Sequence, residues 1–314
     1  MALTSATQSP AAAQPPLAPE ELYLDLMKRC LTRMLFIDQG DGDAVDSVAR
    51  RRWSDPLYRV VRGIGLPLYV SLVQRGLVSE GVVRRFIAPL ERTLKRHAPV
   101  DPNQRARGLD WPADAETMVG VRRLDQLQRC IVEVLGQGVP GDLIETGVWR
   151  GGAAILMRAV LKAYGDRTRT VWAADSFRGL PKPDPIRAPA DAGDALWAFG
   201  ELAVSVEEVR RNFSRYGMLD EQVRFLVGWF RDTLPAAPID CLAVLRLDGD
   251  MYESTMDALQ HLYPKLAVGG YVIVDDYSAI DACRAAVDTF RTIHGIADPM
   301  DREAWPAACW RRSR

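Results

Sequence analysis

Cysteine and histidine are scarce in this sequence, and their scarcity excludes several kinds of site. Five cysteines occur among 314 residues, at positions 30, 130, 241, 283 and 309. The count is odd, and no two of them have the spacing of a zinc-binding pair. The three histidines are far apart in the chain and form no cluster. The pattern predicts free thiols in a reducing compartment and structural histidines, rather than a zinc site or a disulfide framework.

An excess of either charge is also absent. The chain has 40 lysines and arginines and 41 aspartates and glutamates, so its net charge is −1. This balance argues against nucleic acid or an anionic membrane as a partner. Apolar runs long enough to span a bilayer are missing too. The apolar run 66–73 is too short to do so. We therefore expect no membrane segment and a cytoplasmic location.

The first third of the chain differs in composition from the rest. Residues 1–19 are rich in Ala, Pro, Ser and Gln and lack a charged segment followed by an apolar one, which predicts a flexible tail rather than a secretory signal. Residues 20–115 are expected to form a helical N-terminal region. Within it, the spacing of apolar residues predicts a helix at 20–36 and helical pieces over 58–96, and the Pro-rich segment 98–114 is typical of a linker.

Residues 116–314 have the pattern of a single α/β domain. Short apolar runs alternate there with segments whose apolar residues recur at helical spacing. The predicted strands are 142–145, 170–174, 223–227, 241–247, 270–274 and 307–310. The predicted helices are 117–135, 151–164, 206–216, 253–266 and 282–294. This alternation, with strands that are apolar throughout, is typical of a doubly wound, mostly parallel sheet.

Two acidic pairs follow two of the apolar runs. Asp248 and Asp250 come after one predicted strand, and Asp275 and Asp276 come after the next. Since a helix is predicted between the two strands, they should be parallel, with their carboxyl ends at one edge of the sheet. Four carboxylates at one place destabilise each other unless a proton or a cation intervenes. The sequence therefore predicts a divalent metal site at this edge.

The turn after the first predicted strand has features of a ligand-binding loop. It reads Glu145-Thr146-Gly147-Val148-Trp149-Arg150-Gly151-Gly152. Glycines allow the backbone to approach a ligand closely, and the helix N-terminus that follows favours an anion such as a carboxylate. Glu145 would suit an ammonium group. The dinucleotide-binding pattern G-x-G-x-x-G fails, because the third position counted from Gly147 is Trp149.

Two further strand ends extend this predicted ligand edge. Asp175 and Ser176 follow the second strand, where an acidic residue commonly holds two ribose hydroxyls. Asp175 could instead cap a helix or a turn. Gly228 and Trp229 follow the third strand, where the indole could flank an adenine ring or pack under a loop. A ligand with ammonium, carboxylate, ribose and adenine groups is S-adenosylmethionine, and the spacing is compatible with that cofactor.

Five segments, taken in order, form a more specific pattern. They are 144–152 (IETGVWRGG), 174–177 (ADSF), 228–235 (GWFRDTLP), 245–255 (LRLDGDMYEST) and 272–277 (VIVDDY). Together they resemble the macrocin O-methyltransferase family, over about residue 110 to the C-terminus plus the helix 22–28. The resemblance implies a class I methyltransferase fold, S-adenosylmethionine and a divalent metal, usually magnesium. Members of this family include sugar O-methyltransferases of macrolide and aminocoumarin antibiotic pathways.

The resemblance also implies roles for individual residues. Asp248, Asp275 and Asp276 fall on metal-ligand positions, and Asp250 falls on the position proposed as the general base. The candidate cofactor residues, from the spacing and the resemblance together, are Met118, Glu145, Thr146, Gly147, Gly151, Asp175, Ser176, Gly228 and Trp229. Met118 is included because its segment resembles one that lines the cofactor pocket in the family.

The expected function is methyl transfer to a hydroxyl of a glycosylated secondary metabolite, with Mg²⁺ or another divalent cation and with Asp250 accepting the proton. A phenolic acceptor of the catechol type stays open. The family favours homo-oligomers, so we expect one here. A nucleotide-dependent oxidoreductase and a non-catalytic scaffold are the other classes considered, and the failed glycine pattern and the intact acidic residues argue against them. The resemblance implies that the N-terminal region, residues 20–115, helps to form a lid over the substrate. Within it, the helical insert 58–96 has no counterpart that we recognise in the family.

Overall fold

The computed structural model describes residues 17–37 and 101–314. The predicted helical pieces at 58–96 lie outside the described residues, as does nearly all of the predicted tail at 1–19. Within the described ranges, no helix is both long and apolar enough to cross a membrane. The predictions that can be compared with the structure therefore concern the first helix and the α/β domain.

Helices of the described residues cover both faces of a sheet. In chain order they are α1 (Pro19–Leu31), α2 (Pro102–Arg107), α3 (Val121–Gly136), α4 (Gly152–Ala163), α5 (Val206–Arg215), α6 (Phe230–Thr233), α7 (Tyr252–Leu262) and α8 (Asp281–Ile293). One apolar cluster lies between the sheet and α1, α3, α4 and α5, and a second lies between the other face and α7 and α8. This two-sided burial explains why the strands are apolar throughout.

Six strands of the described residues form the sheet. They are β1 (Asp142–Thr146), β2 (Val171–Asp175), β3 (Val223–Val227), β4 (Leu242–Leu247), β5 (Leu266–Val274) and β6 (Ala308–Arg311). Their spatial order is β3-β2-β1-β4-β5-β6, and only β6 is antiparallel to its neighbour. The predicted doubly wound, mostly parallel sheet is thus confirmed.

The strand register brings the carboxyl ends of the central strands together. Thr146 pairs with Ala174 on one side and with Leu247 on the other, and Leu247 pairs with Val274. The residues that follow these positions therefore emerge side by side. We call this side of the sheet the carboxyl edge, and it is the place where ligands bind in open α/β sheets.

Several predicted boundaries were wrong for local reasons. The segment 98–114 contains α2, which Asp101 caps by accepting hydrogen bonds from two backbone N–H groups and which ends at Gly108 with φ of +65°. The first helix ends at Leu31 rather than near residue 36, because Arg33 has left-handed backbone angles. β5 begins at Leu266, four residues earlier than predicted, since a short 3₁₀ turn containing Pro264 ends the preceding helix.

Candidate active site

A cavity of about 340 Å³ opens at the carboxyl edge. Most of the predicted site residues line it. They are Met118, Glu145, Gly147, Asp175, Ser176, Trp229, Asp248, Asp250, Asp275 and Asp276. Three predicted cofactor residues do not line it: Thr146 is buried in β1, Gly151 packs against α5, and Gly228 lies behind Trp229 in the turn after β3.

Three carboxylates of the cavity are close enough to share one cation. Oxygen atoms of Asp248, Asp275 and Asp276 all lie within 4.8 Å of one another. The strand register accounts for this, because the Asp275 N–H donates to the Leu247 carbonyl at 2.9 Å and so places the two strand ends together. Carboxylate oxygens are the ligands that Mg²⁺ prefers in proteins. The predicted metal ligands are thus brought together, and the donor set fits a hard divalent cation.

Arg246 contacts two of these carboxylates and was not predicted from the sequence as a site residue. The side chain belongs to β4 and is 1% exposed. Its Nη1 lies 2.6 Å from Glu145 Oε1 and 2.8 Å from Asp248 Oδ2, and its Nη2 bonds Asp275. A charged residue in an apolar strand, Leu245-Arg246-Leu247, was the available signal, because a buried charge requires a partner.

Arg123 of α3 supplies a second buried cation to the same group. Its Nη1 contacts the Asp275 oxygen that Arg246 leaves free. Two guanidinium groups therefore offset part of the repulsion between these carboxylates, for which the sequence predicted a divalent metal. Neither arginine follows a strand, because Arg246 lies inside β4 and Arg123 inside α3, so the pattern of strand ends did not indicate them.

Only one of the two carboxylate oxygens of Glu145 accepts a hydrogen bond. Oε1 accepts from Arg246, whereas Oε2 is buried and has no hydrogen-bond partner among the described residues. Burial raises the pKa of Glu145 to about 8, although Arg246 opposes the rise. A cationic donor such as an ammonium group would satisfy this oxygen and favour the ionised form of Glu145, so the site fits a ligand that brings one.

Asp175 organises the two loops that flank the cavity. Its Oδ2 accepts from the Val148 N–H and its Oδ1 from the Phe177 N–H, each at 2.7 Å. Burial raises its pKa, and these N–H groups oppose the rise. The turn-capping role that the sequence left open is therefore present. Asp175 also lines the cavity, so a ribose contact through the remaining lone pairs stays a prediction.

Asp250 has a left-handed backbone conformation. Its φ is +59°, in a region that Asp adopts more readily than most non-glycine residues, because its short side chain can hydrogen-bond locally. Burial, with a further contribution from Asp248, raises the pKa of Asp250 to about 7. Burial and the charge of Asp250 raise the pKa of Asp276 well above its ordinary value. Asp250 thus sits beside the metal-ligand candidates without belonging to their compact group.

The connection between β2 and α5, residues 176–205, covers one side of the cavity, and the sequence pattern indicated only its first residues, 176 and 177, as part of a site. Leu180, Pro181, Leu196 and Leu202 of this connection line the cavity. Near its far end, the Glu201 carbonyl accepts a 2.9 Å hydrogen bond from the Trp149 indole. The contact that joins it to the loop after β1 spans 52 positions of the chain, so no local pattern pointed to it.

A doubly wound sheet of this strand order, with a ligand cavity at its carboxyl edge, defines the class I methyltransferase fold. A sequence profile of the macrocin-O-methyltransferase (TylF) family matches residues 20–312. The chain therefore belongs to this family, and the predicted resemblance is confirmed.

Relatives with named activities agree with this assignment. The demethyldecarbamoylnovobiocin O-methyltransferase of Streptomyces niveus is 51% identical over 251 residues, which is 79% of this chain and 94% of that protein. The 8-demethyl-8-(2,3-dimethoxy-alpha-L-rhamnosyl)-tetracenomycin-C 4'-O-methyltransferase of Streptomyces olivaceus is 52% identical over 247 residues, 78% of this chain and 93% of that protein. The solved structure of the O-methyltransferase NovP is similar with a TM-score of 0.74 and 43% identity, over 94% of this chain and all of that chain. The protein is thus an O-methyltransferase, as predicted.

Proposed function

We propose that this protein transfers a methyl group from S-adenosylmethionine to a sugar hydroxyl of a glycosylated small molecule, with the help of a divalent cation such as Mg²⁺. One observation carries the proposal: a single cavity contains both the free oxygen of Glu145 and the three clustered carboxylates. The printed names of two relatives, a demethyldecarbamoylnovobiocin and a rhamnosyl-tetracenomycin O-methyltransferase, support the class of acceptor.

The cofactor half of the cavity has groups suited to each part of S-adenosylmethionine. Glu145 Oε2 would accept from the ammonium group, and Asp175 lies where a ribose would be expected. Met118 and Trp229 line the same cavity and would contact the apolar and aromatic parts. Gly147 has φ of +87°, a conformation that gives the loop after β1 its tight turn beside the cavity.

The metal half would be formed by Asp248, Asp275 and Asp276. A bound divalent cation supplies positive charge that favours the oxyanion form of an acceptor hydroxyl. Arg246 and Arg123 hold two of these carboxylates in place by hydrogen bonds from the strand and helix below. Preorganised ligands of this kind reduce the free energy needed to assemble the site.

Asp250 is the proposed acceptor of the hydroxyl proton. It lines the cavity beside the metal-ligand candidates, and its pKa of about 7 suits a base that works near neutral pH. Its carboxylate is hydrogen-bonded to that of Asp276 but is not one of the three whose oxygens lie together, so it would not be needed as a ligand to the cation. The connection 176–205 would exclude water from the acceptor while the proton moves.

Competing acceptors provide the test of this proposal. Purified protein with S-adenosylmethionine and Mg²⁺ is given rhamnosylated aromatic polyketides in one set of reactions and catechols in another. Mass spectrometry then measures methylated product and S-adenosylhomocysteine in each. We expect kcat/KM for the glycosylated acceptors to exceed that for catechols by at least about tenfold, a difference of about 1.4 kcal/mol in transition-state binding. Turnover of catechols alone would contradict the sugar assignment.

We also propose, as the sequence analysis does, a cytoplasmic homo-oligomer without nucleic-acid or membrane partners. The domain division at residues 115 and 116 and the helical character of the stretch 58–96 stay predictions. Light scattering of the purified protein would measure the assembly, and a monomeric mass at micromolar concentration would contradict it.

A further inference from the structure

Asp191 is a buried acid that the proposed reaction does not use. It lies in the middle of the connection 176–205, is 1% exposed, and does not line the cavity. Both of its carboxylate oxygens accept hydrogen bonds from backbone groups of a distant helix. Oδ1 accepts from the Tyr252 N–H at 2.6 Å, and Oδ2 accepts from the Glu253 N–H at 3.0 Å. A carboxylate that is fully buried, with both oxygens hydrogen-bonded to the backbone, indicates a specific structural role.

The helix that Asp191 caps has no cap of its own. The residue before α7 is Met251, whose side chain has no hydrogen-bond acceptor of the kind that caps helices. The first N–H groups of α7 would therefore lack protein partners, and Asp191 supplies them from 61 residues earlier in the chain. Its negative charge at the positive end of the helix is favourable as well.

This capped end directly follows the turn that carries Asp250. Asp250 stands two residues before Tyr252, in left-handed conformation, and the Met251 N–H donates to the Gly249 carbonyl at 2.6 Å to close the turn. A residue in a sparsely populated backbone region keeps one geometry when its surroundings fix it. The hydrogen bonds from Asp191 fix the downstream side of the turn.

A second contact joins the same two parts of the molecule. Arg187, four residues before Asp191, has its Nη1 at 3.2 Å from Glu253 Oε1. The connection that covers the cavity is thus attached to the start of α7 by a buried cap and by a partly exposed ion pair. An exposed pair of this kind contributes little free energy by itself, so the buried cap is the stronger attachment.

We propose that Asp191 is a positioning residue for methyl transfer: by capping α7 it holds the turn that carries Asp250 in its working geometry and ties that turn to the connection that closes the cavity. The inference rests on the proposed function, in which Asp250 accepts the proton. Asp191 does not line the cavity, so its effect on the reaction passes through Asp250.

The test compares Asp191→Ala and Asp191→Asn with a matched control. Asp166 also accepts hydrogen bonds from two backbone N–H groups, those of Thr168 and Arg169, but it lies before β2 at the opposite edge of the sheet. We expect Asp191→Ala to lower kcat by about 10–100-fold, as small misplacements of catalytic groups do. The calorimetric affinity for S-adenosylhomocysteine should stay within about threefold of the wild-type value, because Asp191 does not line the cavity.

The conservative variant and the control separate positioning from stability. Asp191→Asn keeps one acceptor oxygen but turns its amide NH2 toward the second N–H group, so it should lose kcat to a smaller but measurable extent, about 3–10-fold, which also keeps the test informative if the alanine variant fails to fold. Asp166→Ala should lower the melting temperature to a similar extent and leave kcat within about twofold. An equal loss of kcat in the Asp166 variant, or a normal kcat in both Asp191 variants, would overturn the inference.

A double variant tests whether the effect passes through Asp250. Residues that act as one unit show non-additive losses, so Asp191→Ala combined with Asp250→Asn should be no slower than Asp250→Asn alone. Multiplied losses would contradict the proposed route. If the wild-type enzyme transfers no methyl group to any glycosylated acceptor, the proposed function fails and the role of Asp191 fails with it. A normal Asp191→Ala in an active preparation contradicts the role of Asp191 alone.

Discussion

Arg246 and Glu145 face each other across neighbouring strands, and their side chains form a fully buried ion pair. The two residues are register partners in β4 and β1, with Arg246 Nη1 at 2.6 Å from Glu145 Oε1. The same guanidinium also bonds Asp248 and Asp275. One arginine therefore joins the proposed cofactor half of the cavity to the proposed metal half.

Removing Arg246 should destabilise the protein strongly. Arg246→Met leaves three buried or partly buried carboxylates without their shared cation, and breaking a buried pair costs about 3–5 kcal/mol. Urea unfolding in the presence of a chelator measures the change in the free energy of unfolding. Added Mg²⁺ should recover part of the loss, because it supplies charge to the same carboxylates.

Arg158 offers a matched control for this variant. It is also buried and bonds Asp220 with two nitrogens, but Asp220 is 28% exposed and far from the carboxyl edge. Arg158→Met should cost less than Arg246→Met, since water can solvate Asp220, and Mg²⁺ should not recover the loss. Equal losses with equal recovery would contradict the account.

The stability of the metal-free protein should depend on pH through Glu145. Burial raises its pKa to about 8, against about 4.3 in an unfolded chain. The folded protein thus binds the proton more tightly, so this contribution to stability is full below about pH 4.3 and is lost as the pH rises to about 8. Glu145→Gln should show a smaller loss of unfolding free energy between about pH 6 and about pH 9 than the wild-type protein does. Glu207→Gln, at an exposed position, is the control. An unchanged pH dependence in Glu145→Gln would count against the raised pKa of Glu145.

Asp250→Asn should separate catalysis from binding. If Asp250 accepts the proton, the variant should lose about 10²–10⁴-fold in kcat while its affinity for S-adenosylhomocysteine stays near that of the wild-type protein. Steady-state kinetics and calorimetry measure the two quantities. Near-normal turnover would remove Asp250 from the role of base.

Much of this fold could be predicted because its signals are local. The apolar runs that became β3 and β4, and the acidic residues that follow β4 and β5, are visible in short stretches of sequence. The predicted metal-ligand group came together because parallel strands must end at one edge.

The parts that could not be predicted depend on contacts between distant residues. Arg246 and Glu145 are 101 positions apart, and Asp191 and Tyr252 are 61 positions apart. Nothing in a segment such as Ala188-Pro189-Ala190-Asp191 indicates that its acid caps a helix so far along the chain. The charge partners and the long-range cap could therefore be identified only from the structure. The individual roles of the site residues stay predictions.

The metal-ligand assignment can be tested by direct binding. Wild-type protein should bind Mn²⁺, a spectroscopically visible substitute for Mg²⁺, and Asp276→Asn should weaken that binding by at least about tenfold. Asp257→Asn is the matched control, because Asp257 lines the same cavity but lies outside the compact group. Titration calorimetry gives both affinities. A Mn²⁺ affinity that falls equally in the two variants would indicate a diffuse effect of charge rather than a defined site.

The most direct test of the central claim is methyl transfer measured against the concentration of free divalent cation. Wild-type enzyme, S-adenosylmethionine with a labelled methyl group and a glycosylated acceptor are incubated with a chelator and then titrated with Mg²⁺, and the product is analysed by mass spectrometry. The account predicts no labelled product in chelator and a saturable rise with Mg²⁺, with the label on a sugar oxygen. Full transfer in chelator, or a label found only on the aglycone, would contradict it.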